Sequence, residues 1–304
     1  MSTSKSPRET PIATPPAATI GERIVVADDG GAAGRAAVRW VTERLGRRPA
    51  GVRVIGTVPR TDDEAAVALR RISVDRATAV LHTVVPHAAV AAEVVTGDPE
   101  QALCAEAENA DLLVVGLAEP ERGRRDALPV RLAERASCVV VVVPEDWAPG
   151  TGRTVVGASI DAASDAALAF AAGQAERESR ELELVHAWQL PVTGEVRIPE
   201  VHDDASIPEL QQRALETLAA SVRAAGLEVT STARQGMPAQ VLTAAADDAD
   251  LLVVGRRTRR PLTRLLLGSV SRSLVEHPPC PVAVVPQPRL PLDVVHDDPR
   301  DATL

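Results

Sequence analysis

The chain has 304 residues, enough for about two domains. It is 45 % hydrophobic but only 1 % aromatic, with three Trp, one Phe and no Tyr, so its cores must be built from Val, Leu, Ala and Ile, and base-stacking platforms for single-stranded nucleic acid are excluded. A net charge of −9 disfavours a phosphate-backbone partner, and no apolar run reaches the ~18 residues of a membrane span.

The first residues, "MSTSKSPRETPIATPPAAT", lack the apolar core of a secretory signal and are rich in Pro, Ser, Thr and Ala. Residues 1–20 are expected to be a disordered tail. Short β-branched runs then alternate with helical patterns. The runs "RIVVAD" (23–28), "VRVIGTV" (52–58), "AAEVV" (91–95), "DLLVVG" (111–116) and "CVVVVVP" (138–144) read as strands. Between them "AAGRAAVRWVTERL", "DDEAAVALRRISVDRATAVL", "EQALCAEAENA" and "ALPVRLAERA" read as helices. A Pro/Gly-rich joint, "PEDWAPGTGR", follows at 144–153. Strand-like runs then resume as "RTVVGAS" (153–159), "LELVHAW" (182–188), "LEVTSTA" (227–233), "DLLVVG" (250–255) and "PVAVVP" (281–286), again with helical stretches between. The end, 288–304, resembles the start and is expected to be a second tail.

The second series repeats the first. "ADLLVVG" occurs at 110–116 and 249–255, preceded by "VVTGDPEQAL" and "TARQGMPAQVL" and followed by "CVVVVVP" and "CPVAVVP". The organisation expected is therefore a domain at 21–146, a linker at 147–153 and a domain at 154–287. Continuous apolar strands with helices between them predict an α/β fold: two tandem doubly wound, Rossmann-like domains, each a five-stranded parallel sheet with helices on both faces. Ligands in such sheets bind beyond the carboxyl ends of the strands, where strand order switches.

The stretch "DLLVVGRRTRRPLTRLLLGSVSRSLVEHPPCPVAVVP", 250–286, carries the candidate chemistry. Gly255 ends a strand, and Gly268-Ser269, thirteen residues later, opens a helix. The free N–H groups of a helix start favour an anion, and Ser269 and Ser271 add hydroxyls; equally, Gly-Ser is simply a good helix start. Arg256, Arg257, Arg259, Arg260 and Arg264 read either as a solvated loop or as a basic rim for phosphate.

The same stretch resembles the signature end of the universal stress protein family (UspA domain), whose ATP-binding members carry G-x-x-G, nine residues, then G-S/T. "VVADDGGAAGRAAVRW", "LVHAWQLP" and "QGMPAQVL" join the resemblance, which covers nearly all of 21–287 as two copies. It implies a stress-response protein with five-stranded parallel domains that pair through their last strands, here within one chain, and bind adenine nucleotide or have lost that ability. The site implied in the second half comprises Gly157, Ser159, Ala187, Val254, Gly255, Gly268, Ser269, Val270 and Ser271, holding ATP, with Mg²⁺ when bound. Two positions depart from the pattern: Thr258 stands at the second glycine of G-x-x-G, and Ser159 where the family places an Asp, with Asp161 two residues on. The first half keeps that acid as Asp29, and Gly116, but has no Gly-Ser; Pro129-Val130 or Asp126-Ala127 stands there, with Glu119 and Glu121 nearby, and the segment from Gly116 to Cys138 is three residues shorter than its counterpart. The first domain is thus expected to have a degenerate site.

"DDGGAAG" falls short of the dinucleotide fingerprint, since Asp29 stands at its first glycine; there is no P-loop, no G-x-S-x-G, and no histidine pair at metal spacing. His186 reads as a packed residue, and Cys138 and Cys280, isolated like Cys104, read as structural in a reducing, cytoplasmic setting. Expected partners are an adenine nucleotide, the other half of the chain and a second copy in a homodimer, with no nucleic acid and no membrane. The alternatives kept open are a nucleotide-independent interaction module and a slow ATPase.

Overall fold

The computed structural model describes residues 21–46, 48–59, 63–150, 152–159, 165–189, 206–223, 226–256 and 267–287. The expected tails at 1–20 and 288–304, and with them Asp161, Arg257, Thr258, Arg259, Arg260 and Arg264, lie outside the described residues. In the first half come β1 (Glu22–Asp28), α1 (Ala32–Leu45), β2 (Ala50–Val58), α2 (Glu64–Val84), β3 (Ala89–Thr96), α3 (Pro99–Ala107), β4 (Leu112–Leu117), α4 (Leu128–Arg135) and β5 (Val139–Pro144). The second half has β6 (Thr154–Gly157), α5 (Asp165–Glu178), β7 (Leu182–Trp188), α6 (Ile207–Arg223), β8 (Val229–Gln235), α7 (Pro238–Ala245), β9 (Leu251–Gly255), α8 (Ser269–Glu276) and β10 (Val282–Val285).

Within each half the strands are parallel, ordered β3-β2-β1-β4-β5 and β8-β7-β6-β9-β10. The two halves join into one ten-stranded sheet because β10 runs antiparallel to β5, with Val282 opposite Val142, Ala283 opposite Val141 and Val284 opposite Val140. These central strands are valine runs buried on both faces, with no room for alternation. Helices α1, α2, α5 and α6 cover one face over a core that includes Val26, Leu81, Val141, Leu184 and Ala283. Helices α3, α4, α7 and α8 cover the other, over Ile55, Val142, Val185, Leu252 and Val282. Both cores run unbroken across the seam. No helix among the described residues is long and apolar enough to cross a membrane.

Helix starts follow their caps. Asp63 accepts from the Ala65 and Ala66 amides, and Asp98 from the Gln101 amide with Pro99 at the first helical position. The joint between the halves is tied to the second half: the Gly150 amide donates to Asp250 at 3.1 Å, and a Cβ at Gly152 would lie 2.1 Å from the Asp248 carbonyl oxygen, which requires glycine there.

The seam is also held by side chains on both faces. On one, the buried Arg44 donates to Gln174 at 3.0 Å and pairs with Glu22, which also receives Arg177. On the other, Arg272 pairs with Glu134, and the Gly123 amide donates to the Glu276 carbonyl at 2.9 Å. Arg256 corrects the reading of its cluster as a solvated loop or a phosphate rim. It is 5 % exposed, and its Nη1 donates to the carbonyls of Ala136 (2.7 Å), Glu134 (3.1 Å) and Ala133 (3.4 Å). A cation of the second half thus closes the carbonyl end of α4 in the first, where both the orphan acceptors and the helix dipole favour it. Hydrogen bonds from a buried charged group are worth about 1.5–3 kcal/mol. Arg256→Ala is therefore expected to lower the unfolding free energy by about that amount in urea titration, while leaving ligand affinity at the second half's cavity within about twofold.

Candidate functional site

A cavity of about 240 Å³ opens at the carboxyl ends of β6, β7 and β9, where the strand order of the second half switches between β6 and β9. All nine residues named for the second half line it. Gly157 and Ser159 come from the end of β6, Ala187 from β7, Val254 and Gly255 from β9, and Gly268, Ser269, Val270 and Ser271 from the start of α8. Ala158, Val185, His186, Pro238 and Leu242 also line it and were not among the residues named from sequence. Leu242 had a signal, since it lies on the inward face of a helix that follows "QGMP", and α7 delivers Pro238 and Leu242 to the wall together.

Each lining residue is small or turned aside for a local reason. A Cβ at Gly157 would sit 3.0 Å from Leu242 Cδ1 and 3.4 Å from Val254 Cγ1, so any side chain there would press on the cavity floor. Strand register matches Gly157, Val185 and Ala187 with Ala27, Ile55 and Thr57 of the first half, each larger. Ser271 differs from its expected part. Its hydroxyl is buried and donates to the Gly255 carbonyl at 2.9 Å, tying α8 to the end of β9 and leaving the amide ends of the helix to face a ligand. His186 is packed, as its place on the strand suggested: Nδ1 donates to the Ala158 carbonyl at 2.9 Å, and Nε2 faces the Gln211 side chain at 3.0 Å. The ring fixes the turn leaving β6, so the one titratable side chain among the described lining residues is already engaged.

The electrostatics of the wall come from helix ends. Helix α8 starts at Gly268 and α7 at Met237, and neither N-cap supplies a side-chain acceptor. The uncapped start of α8, with partial positive charge on its amides, therefore meets the cavity, while α7 brings Pro238, which has no amide hydrogen; among the described residues the lining includes no carboxylate. The repeat makes the absence of caps visible: Asp98 caps α3 where Met237 precedes α7.

In the first half the residues at the equivalent place serve the fold. Asp29 accepts from the Gly31 amide at 2.8 Å and the Gly34 amide at 2.9 Å, so its carboxylate serves α1. The neighbouring Asp28 is buried and accepts from the Gly30 amide and the Ser73 hydroxyl. Gly116 also has a packing reason: a Cβ there would lie 2.1 Å from the Ala33 carbonyl oxygen of α1. At the start of α4, Pro129 removes an amide hydrogen, and the buried Leu117 and Ala127 fill the adjoining space.

The cysteines stand apart from this site. Burial pushes the Cys138 and Cys280 thiols up to about 12, and burial followed by the charge of Glu100 raises Cys104, which is only partly covered. All three therefore stay protonated near neutral pH. A thiol reagent at pH 8 is expected to label Cys104 slowly in the native protein, and Cys138 and Cys280 only once urea unfolds it; peptide mapping of the labelled sites checks this.

A doubled parallel α/β unit with a cavity at one switch point defines a tandem protein of the Rossmann-like class. The model of the universal stress protein family matches residues 21–144 and again 151–286, and the chain belongs to that family. It is 30 % identical over 206 residues to universal stress protein Rv2005c of Mycobacterium tuberculosis, covering 65 % of this chain and 69 % of that one. It is 33 % identical over 127 residues to a universal stress protein of Thermus aquaticus, covering 39 % of this chain and 87 % of that one. Among solved structures, a universal stress protein from Archaeoglobus fulgidus shares the fold over 88 % of this chain and 97 % of its own, with a TM-score of 0.65 at 16 % identity.

Proposed function

We propose that the second half binds an adenine nucleotide, ATP with Mg²⁺, weakly, and that the protein serves a stress response through this binding with no dedicated chemistry. The observation that carries the reading is the uncapped start of α8 opening on a cavity at the switch point whose lining, among the described residues, holds no carboxylate. The amides of Ser269, Val270 and Ser271 suit a phosphate chain. Val254, Ala187 and Leu242 offer an apolar shelf for a base. With no carboxylate among the described lining residues, Mg²⁺ would be held by the phosphates and water.

Weakness follows from the same residues. Ser159 contributes a hydroxyl but no charge where the family's acid would grip the ribose side, and the cavity is small beside the roughly 300–1,000 Å³ of ordinary ligand pockets. In favour of a binding role, the ring of His186 already serves Ala158 and Gln211 and is not placed as a base. The first half supports a second reading, a nucleotide-independent interaction module, because Asp29 and Pro129 there serve helix starts.

Calorimetric titration separates the two. ATP·Mg²⁺ is expected to bind with a dissociation constant of roughly 10 µM–1 mM, that is about −7 to −4 kcal/mol. Gly268→Val should abolish the heat, and Ser159→Asp should tighten binding about tenfold. Absence of heat with the wild type, or heat that survives Gly268→Val, would sink the proposal in favour of the interaction module. A further variant reads the electrostatics alone. Met237→Asp should cap α7, raising stability by about 1 kcal/mol in urea titration while weakening ATP, because it sets a carboxylate next to Pro238 of the cavity wall.

A further inference from the structure

Four of the five large apolar side chains that stand out from the described surface lie on one helix. Leu69 is 69 % exposed, Ile72 56 %, Val80 42 % and Val84 54 %, all on α2. At 100° per residue they occupy an arc of about 120°, which they share with Ser73, Arg76 and Thr83. Beside the stripe, α1 and α2 bound a groove of about 340 Å³ floored by Val38, Ala77, Val80 and Val84. Arg35, Arg39 and Arg76 rim it, opposed by Glu43 and by the buried Asp28, which accepts from Gly30 and Ser73. Arg35 and Arg39 donate to the backbone carbonyls of Gly30 and Trp147, and among the described residues none of the three arginines pairs with a carboxylate.

The fold does not require these features, and the repeat supplies the control. Matching the buried ridge Val74 and Leu81 of α2 with Leu215 and Val222 of α6 places Arg213 at Ile72 and Ser221 at Val80. Matching α1 with α5 places Asp165 at Arg35 and Ala169 at Arg39. The second half thus builds the same architecture with Leu210 at Leu69 but polar residues at Ile72 and Val80, and with Asp165, Ala169 and Thr217 in place of the three arginines. An apolar stripe beside unpaired cations, in a chain of net charge −9, marks an interaction surface.

We propose that this groove docks an acidic amphipathic helix of a partner protein. Apolar residues at three- and four-residue spacing would lie on the α2 stripe and the groove floor, and carboxylates on the flanks would reach Arg35, Arg39 and Arg76. Charge selects this occupant over a second copy of the chain, which would bring one arginine rim against another. Shape selects it over a bilayer, since a trough between two helices receives a ridge and not a plane.

The test uses the full chain and a fluorescently labelled peptide of about 18 residues, with Leu at helical a and d positions and Glu elsewhere, beside its twin with Lys for Glu. By anisotropy the Glu peptide binds the wild type and the Lys peptide does not. Its affinity falls at least tenfold both for Ile72→Arg with Val80→Ser, which install the second-half residues, and for Arg35→Glu with Arg76→Glu. All four positions are on the surface, and an unchanged melting curve confirms that the variants fold. The proposal is overturned if the Glu peptide fails to bind, if the Lys peptide binds as well, or if either double variant binds undiminished. It is equally overturned if the wild type binds anionic phosphatidylserine vesicles through these residues, or forms a dimer by light scattering that the Ile72→Arg, Val80→Ser variant dissolves.

Discussion

Everything in this molecule is arranged around the antiparallel pairing of β5 with β10. A parallel half-sheet ending in a bare valine strand would expose a long, flat, apolar edge, the kind that templates aggregation. Setting β5 against β10 removes both edges at once and merges the cores on each face. The pairing has a geometric consequence. Because the halves run in opposite directions, the carboxyl ends of β1 and β4 lie at one end of the sheet and those of β6 and β9 at the other. Asp29 and the Gly268 turn, although each is half of one motif, cannot meet across a shared pocket.

The same arrangement turns the repeat into a comparison inside one chain. Both halves must start a helix at the end of the first, third and fourth strand, and each start leaves unsatisfied amides. The first half meets those of α1 with Asp29 and those of α3 with Asp98, while α4 opens on a proline with no side-chain cap, as α7 does. The second leaves α7 and α8 without side-chain caps and keeps Gly157 and Ala187 small above them. Capping stabilises a helix by about 1 kcal/mol, so the missing cap of α8 is a local cost that the anion proposed to bind there would offset. A cavity lined only by apolar side chains would give no reason for that cost.

How much of this is legible in sequence depends on the kind of constraint. The strands announce themselves because burial on both faces demands unbroken Val and Leu, as in "CVVVVVP", and the repeat of "ADLLVVG" fixes equivalent positions. The lining of the cavity is legible because it sits at strand ends that topology brings together. Arg256 was not, since five arginines in one loop look alike in sequence, and only the packing of α4 against the seam singles out the one whose guanidinium meets three carbonyls. The hydroxyl of Ser271 was misjudged for a related reason: a serine in the first turn of a helix can serve a ligand or a strand carbonyl, and the choice is made by the distance to Gly255. The α2 stripe is hidden differently. "EAAVALRRISVDRATAVLHTV" carries apolar residues on two faces, and periodicity alone does not say that Val74 and Leu81 point inward while Ile72 and Val80 point out.

Net charge misleads in the same way when it is applied to parts. At −9 the chain as a whole repels anions, yet its arginines are not spread to balance the acids. Arg44, Arg153, Arg256 and Arg272 are consumed inside the structure, joining Glu22, Glu183, the α4 carbonyls and Glu134. Such pairs neutralise carboxylates locally and contribute little field beyond about one Debye length, roughly 8–10 Å in physiological salt. The potential at any surface point is therefore set by the few ionic groups within that radius that lack an internal partner. Around the second-half cavity these are helix amides, and around the α1–α2 groove they are arginines bonded only to backbone carbonyls. Two regions able to attract anions thus coexist with an acidic whole, because screening confines each field to its own neighbourhood.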